Sequence, residues 1–423
     1  MPVCTLHRYA EHHAQESLLP PLKILWLLLL LVILFACVTA AHAQSSAPAQ
    51  TPYATLDRQK VTYRGPIHEG AADALGDAAV IGLILPLKGP QEREGRALLE
   101  AAQLAVRAEQ RRGPLRDGRR LEIAVRDESG PWGQASTEIL KLIEEDRAVA
   151  MVTSANGASA HLAEQIANKI SVPILTLSSD PSATQTNVPW LFRVGPSDTD
   201  QAQAFCQQIY SELGLRKVLV VAQTDHDGRV GATEFEKAVK NFKAPIPFRF
   251  EFAGTPSDLD LFRAKLATTE PDAVVIWTDA AAADALLAIV EATRPSTPVF
   301  LCRKAAQLEA PSSKSDGFNA DQREKQKSAE RFTVDSKQLL SEQDFRDFDT
   351  PRTGKPLSLE AEAMYEAVHI IAAALRRIPS NRGLLRDYLA NQGPSASSNI
   401  KTPFDPAGND LQRFSIVQVE AVP

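Results

Sequence analysis

Residues 148–177 read AVAMVTSANGASAHLAEQIANKISVPILTL, and the fold follows from this stretch. Residues 148–152 form an unbroken apolar run, and residues 172–177 form a second, interrupted only by Thr176. Between them, residues 159–170 place apolar side chains at three- and four-residue spacing, the period of an amphipathic helix. A strand that is apolar at successive positions is buried on both faces. Two such strands joined through a helix run parallel. Residues 153–158 (TSANGA) are small and mostly polar, and they link the end of the first strand to the start of the helix.

The same unit recurs on both sides. Toward the N-terminus lie a strand at 79–85 (AVIGLIL) ended by Pro86, a helix at 95–110 closed by Gly113-Pro114, a strand at 121–125 and a helix at 134–145. After residue 198 the pattern restarts with a helix at 199–213 and a strand at 217–222 (KVLVVA). Helices at 231–241, 259–267 and 280–293 then alternate with strands at 248–252, 273–277 and 299–301. Two successive series of similar length predict an α/β chain with two Rossmann-like lobes, each on a parallel central sheet. Residues 303–356 break the pattern. They are rich in Lys, Asp, Glu, Gln and Ser, and read as a polar connecting region with short helices. A strong helix at 359–377 and a final apolar strand at 413–419 complete the chain.

Over 423 residues the chain is 44% hydrophobic and 23% charged, with a formal charge of -6 that gives no electrostatic reason to expect a nucleic-acid partner, since such proteins usually carry a basic face. Residues 24–41 (ILWLLLLLVILFACVTAA) carry no charge and follow Lys23. With the small-residue site Ala41-His42-Ala43 before Gln44 they describe an export leader cleaved between Ala43 and Gln44. Two alternatives stay open: a retained anchor, since about 18 apolar residues just span a bilayer, and lipid attachment at Cys37, since Leu34-Phe35-Ala36-Cys37 approximates a bacterial lipobox. The expected location is therefore periplasmic or otherwise extracytoplasmic, with membrane attachment only through that lipid or an uncleaved leader. Residues 1–43 are read as leader and 44–78 as a polar tether. Cys206 and Cys302 remain in the mature chain, either as two buried thiols or as a disulfide.

The order of landmarks resembles the type I periplasmic solute-binding proteins, in the branch that binds branched-chain amino acids and amides for ABC importers. The resemblance rests on Ile81-Gly82 through Pro86-Leu87-Lys88-Gly89-Pro90 with Gly95, Gly118-Arg119 and Asp127, and Val172-Pro173-Ile174. It continues through residues 192–198 (FRVGPSD), Pro271-Asp272-Ala273-Val274, Gly354-Lys355-Pro356, Tyr365-Glu366-Ala367, and Phe404-Asp405 with Gly408-Asn409-Asp410. It implies a three-segment hinge, with lobe one at 79–195 plus 357–390 and lobe two at 196–302 plus 400–420.

In open α/β sheets ligands sit beyond the carboxyl ends of the strands. That rule nominates Ser154, Asn156, Gly157 and Ser159 after one strand, and Thr176, Ser178, Ser179 and Asp180 after the next. In the second series it nominates Asp227 and Asp279. Hydroxyls and N–H groups at a helix N-terminus suit a carboxylate, although Asn156 or Ser159 also serves as a plain helix cap. The resemblance places Gly157 and Asp180 where amino-acid binders carry ligand-binding hydroxyls, Asp227 at an aromatic position, and Lys304 at or beside the ammonium-binding acid. A lysine there favours an anionic group on the ligand. His226 between Asp225 and Asp227 reads as a turn rather than a metal cluster, and His161 and His369 as structural residues of helices. No G-x-S-x-G, H-E-x-x-H or P-loop is present, so neither catalysis, cofactor nor metal is expected. The reading is a monomeric solute-binding protein that captures a small polar ligand, amino-acid-like or an organic acid, and docks on ABC permease subunits. The alternative is a membrane-tethered partner-binding protein of the same fold, resembling the penicillin-binding-protein activators.

Overall fold

The apolar runs at 79–85, 148–152, 172–177, 217–222, 273–277 and 299–301 become strands whose side chains are almost wholly buried. The structure, a computed structural model, describes residues 75–186, 188–306, 329–336, 358–390, 404–405, 407–410 and 414–419, all within one compact unit, Leu56–Pro423. The leader, the tether up to residue 74, Cys37, Ala43 and Gln44 lie outside the described residues. Among the described residues no helix is long and apolar enough to cross a membrane.

The first sheet is built from β1 (Ala78–Leu85), β2 (Arg120–Asp127), β3 (Ala150–Thr153), β4 (Ile174–Thr176) and β5 (Leu191–Arg193). Its order is β2-β1-β3-β4-β5, and every pairing is parallel. Helices α1 (Glu92–Arg111), α2 (Trp132–Glu144), α3 (Gly157–Ile170) and the short α4 (Ser182–Gln185) connect these strands. The chain then leaves through α5 (Asp198–Cys206), which continues as a π-helical segment, Gln207–Glu212.

The second sheet holds β6 (Val218–Gln223), β7 (Phe248–Phe252), β8 (Ala273–Trp277), β9 (Val299–Leu301), β10 (Arg331–Ser336) and β11 (Phe414–Val419). Helices α6 (His226–Asn241), α7 (Pro256–Thr269) and α8 (Ala280–Thr293) join its first four strands. Its order is β11-β10-β9-β8-β6-β7, parallel except for the antiparallel pair of β10 with β11. Two expectations change here. Residues 331–336, inside the stretch read as a polar connection, form a strand, because Phe332 and Val334 alternate with polar residues and pack on the second core. The last strand runs antiparallel, because it returns to the sheet edge from the first half of the molecule rather than through a covering helix.

After β10 the chain enters α9 (Leu359–Leu375) and α10 (Arg382–Leu389), whose apolar faces belong to the core of the first sheet. Among the described residues it therefore passes between the two halves three times: after β5, after β10 and after α10. Glu109 of α1, only 1% exposed, ties this returning segment down, accepting from His369 Nδ1 at 2.7 Å and pairing with Arg376. His369 is thus the structural residue expected. Two crossings sit side by side. The Gly195 N–H donates to Asp410 Oδ2 (3.0 Å), the Arg193 N–H donates to the Gly408 carbonyl (2.7 Å), and Phe404 packs on Phe192.

Cys206 and Cys302 are both buried free thiols, and burial pushes each up to about 12. In the second half Trp277 lies against Phe205 and Phe235, and its Nε1–H donates to Asp198 Oδ1 at 3.1 Å. Gly231 of α6 is what lets the indole approach, since a Cβ there would stand 1.9 Å from Trp277 Nε1. Gly231→Ala must therefore displace the indole, and overpacking of this kind costs about 1–3 kcal/mol. Urea unfolding followed by Trp fluorescence is expected to show that loss, with the slope unchanged.

Candidate functional site

A sheet ordered 2-1-3-4 reverses direction between its first and third strands, and the crevice beyond those carboxyl ends receives ligands in such folds. Here the first sheet reverses between β1 and β3, and the second between β6 and β8. The loops after these strands meet. Asp227, at the start of α6, reaches across to the first half, where its Oδ1 accepts from the Gly157 N–H of α3 at 3.0 Å. Its Oδ2 accepts from Lys304 Nζ at 2.9 Å, and the lysine side chain is 13% exposed. Gly157 is a steric requirement of this contact. A Cβ there would come within 2.6 Å of Asp227 Oδ1 and 2.9 Å of His226 Cδ2.

The other nominated residues divide by what holds them. Asn156 caps α3 by accepting from the Ser159 N–H at 3.1 Å, so the plain capping alternative describes that pair. The Ser154 hydroxyl donates to Glu128 Oε1 (2.6 Å) and accepts from the Asn156 N–H (3.2 Å). Thr176 is buried and accepts from the Thr153 hydroxyl (2.8 Å) and the Ser178 N–H (3.1 Å), which ties adjacent strand ends together. Ser178 Oγ accepts from the Asp180 N–H at 3.2 Å, and the Ser179 carbonyl accepts from the Asp198 N–H at 2.7 Å. Asp279 caps α8 through the Ala282 N–H (2.8 Å), and its other oxygen accepts from Gln223 Nε2 (3.1 Å). These hydroxyls and Asp279 serve mainly to shape the loops, while Gly157, Asp180, Asp227 and Lys304 make the contacts around the gap.

Carboxylates dominate the space between the halves. Glu94 of α1 feels Lys304, Asp227 and Asp279, and burial raises its pKa. Glu128 is 8% exposed, and burial, only partly offset by the hydroxyls of Ser154 and Ser159, raises it to about 7; its Oε2 has no hydrogen-bond partner. Burial works against the charge on Lys304, but Asp227 and Glu94 together hold its pKa above the ordinary lysine value. Within the protein the Lys304 ammonium is thus paired with carboxylates, Asp227 first. Asp198, behind the hinge, is likewise raised to about 7 by burial.

At the rim of the same gap a second contact crosses. His226 Nε2 of α6 and His161 Nε2 of α3 approach the same oxygen, Asp180 Oδ2, at 2.7 and 3.0 Å. His161 Nδ1 faces Glu164 Oε2 at 3.2 Å, and these carboxylates, Asp180 foremost, raise its pKa to about 9. Asp180 itself is 1% exposed. Burial works to raise its pKa, but the hydrogen bonds from His161, His226 and Ser182 hold it well below the usual carboxylate range. The cluster opens onto a cavity of about 300 Å³ between the halves, lined by residues that include Asp180, Ser182, Gln185, His226 and Arg229. Of the nominated residues only Asp180 lines it. His226 is not grouped with its sequence neighbours, since Asp225 caps α6 through the Gly228 N–H (2.8 Å) and Asp227 points to Lys304.

Sequence reasoning missed Glu94, Glu128 and His161. Glu128 directly follows a strand end, and His161 stands one helical turn beyond Gly157 on the face that meets the gap, so position alone carried a signal for both. For Glu94 none existed. The raised pKa of Glu128 has a stability consequence. The folded chain holds its proton up to about 7 and the unfolded chain only to 4.5, so stability is lost as pH rises through that window. In thermal melts across this range the wild-type protein is expected to fall relative to Glu128→Gln, and the two to run parallel at higher pH.

Several comparisons bear on this arrangement. The periplasmic binding protein family model matches residues 79–392. Among solved structures, the isoleucine complex of the branched-chain amino acid transporter substrate-binding protein LivJ from Streptococcus pneumoniae superposes with a TM-score of 0.63 at 19% identity, covering 81% of this chain and 99% of that one. A solute-binding protein from Rhodopseudomonas palustris, in complex with 3,4-dihydroxybenzoic acid, gives 0.65 at 17% identity, covering 81% and 93%. A stretch of 133 residues is 26% identical to glutamate receptor 3.2 of Arabidopsis thaliana, spanning 31% of this chain and 14% of the receptor. The family and the solved neighbours are binding proteins rather than enzymes. With two parallel-dominated sheets facing each other at their reversal points and the family match over most of its length, this chain belongs to the periplasmic binding protein family.

Proposed function

We propose that this chain is an extracytoplasmic solute-binding protein that closes its two halves over one small polar ligand for an ABC importer. The observation that carries the reading is the meeting of both reversal-point loops at one place, where Asp227 spans the gap from Lys304 to the amino end of α3. The lobes of this proposal are residues 79–195 plus 357–390, and 196–302 plus 400–420 with β10 added. The leader is cleaved after Ala43, and the mature protein acts as a monomer.

The chemistry around Asp227 narrows the ligand. Its carboxylate stands at a helix N-terminus beside an ammonium, where the carboxylate of an incoming molecule would bind. A ligand carboxylate would compete for both partners, and a cationic group on the same molecule would find Glu94 and Glu128. That combination suits an amino-acid-like zwitterion, the class of the isoleucine held by one structural neighbour, while the dihydroxybenzoate held by the other shares only the carboxylate. A second reading draws on the same contact. Because Asp227, paired with Lys304 in its own half, also accepts from the Gly157 N–H of the other, the halves can close with no ligand, which suits a protein whose closed surface binds a partner protein instead.

Titration calorimetry with amino acids, amides and small organic acids is the direct test. A saturable heat from a carboxylate-bearing compound is expected. Lys304→Ala should weaken it at least tenfold, and Asp227→Ala should tighten it about tenfold, or about 1.4 kcal/mol, by removing the internal competitor. Silence from the whole panel with folded protein favours the partner-binding reading. Gly157→Ala would push Asp227 and His226 away from α3, so small-angle scattering should report a larger radius of gyration than for the wild type.

A further inference from the structure

The pair of histidines at the rim of the gap is left unexplained by the ligand reading. Three side chains, His161, Asp180 and His226, bring one ligand atom each to within 4.8 Å of one another. We infer that they form a binding site for a zinc-like divalent transition metal, which joins the two halves of the molecule at their rim. Two imidazole nitrogens and one carboxylate oxygen are the donor set that such ions prefer, and three protein ligands with one open position is a common arrangement for zinc.

The geometry fits at the level of side-chain adjustment. A tetrahedral zinc with bonds of about 2.0–2.1 Å places its ligand atoms roughly 3.3 Å apart. Asp180 Oδ2 now lies 3.0 Å from His161 Nε2 and 2.7 Å from His226 Nε2, so a retreat of a few tenths of an ångström on each side makes room. The supporting contacts are those that orient metal-binding groups in proteins. Glu164 faces the far nitrogen of His161 at 3.2 Å, which selects Nε2 for the metal. The Ser182 N–H and hydroxyl donate to Asp180 Oδ1 at 2.9 and 2.7 Å and leave Oδ2 as the ligating oxygen. The fourth position faces the cavity of about 300 Å³, and access is from the side of His226, whose side chain is 41% exposed. His161 and Asp180 come from loops and helices of the first sheet and His226 from the second, so a bound ion resists separation of the halves. This site stands apart from the contacts of Asp227, because neither Gly157 nor Lys304 takes part in it.

The test uses the full chain, free of any affinity tag, in chelator-free buffer near neutral pH. Titration with zinc chloride is expected to show one saturable site more than His226→Ala shows, and zinc should raise the wild-type melting temperature but not that of the variant. His161→Ala should weaken the same site at least tenfold. His226 lies at the exposed start of α6, and its removal leaves the Asp225 cap of that helix intact. Cobalt chloride added to the wild type should produce the visible absorption of a low-coordinate site, a readout that depends on no variant folding. Equal zinc stoichiometry and affinity in the wild type and His226→Ala would overturn the inference, as would the absence of any saturable uptake by the wild type.

Discussion

Asp227 places one carboxylate between a helix amino end in the first half of the molecule and the buried ammonium of Lys304 in the second. The electrostatics of the gap depend on this arrangement. Lys304 is kept charged in a buried place because Asp227 and Glu94 outweigh the cost of its burial. The α3 N–H group at Gly157, which an N-terminus would otherwise offer to solvent or a ligand, is satisfied from the opposite half. Opening the gap parts Asp227 from the Gly157 N–H but not from Lys304, which lies in the same half, so the buried charges stay paired with each other while the amino end of α3 is released.

The hinge is stabilised by different means. Arg193 is buried where β5 ends and donates to the carbonyls of Ser179 and Asp180 and to the Thr184 hydroxyl. Those contacts fix the loop that carries Asp180 toward the gap. Across the same region Arg303 reaches Asp335 and the carbonyl of Leu359, so the second passage between the halves is also held by a guanidinium. Rigid strand ends with polar crossings suit a molecule whose halves rotate as bodies about a few residues.

The nominated site divides along a physical line. Thr176, Ser178 and Asn156 stand where the rule of strand ends places them, yet their polar groups satisfy neighbouring backbone and hydroxyl groups. Short side chains in such loops reach their own backbone sooner than anything across a gap. Longer or charged groups reach farther, and Asp227 and His226 cross the gap to Gly157 and Asp180. His161 looked like an ordinary helical residue because its partner, Asp180, is 19 positions away and His226 is in the other half of the molecule.

Periodicity alone determined most of the strands and helices and the two-sheet α/β class, because burial on both faces of a parallel strand demands a continuous apolar run. The cap role of Asn156 was legible for a similar reason, since a cap acts within three residues of itself. The partner of a charge was not legible. Local sequence contains no information on which loop of a second sheet lies 3 Å away, and only the folded arrangement set Asp227 on Gly157, Asp180 between two histidines and β10 on the edge of the second sheet.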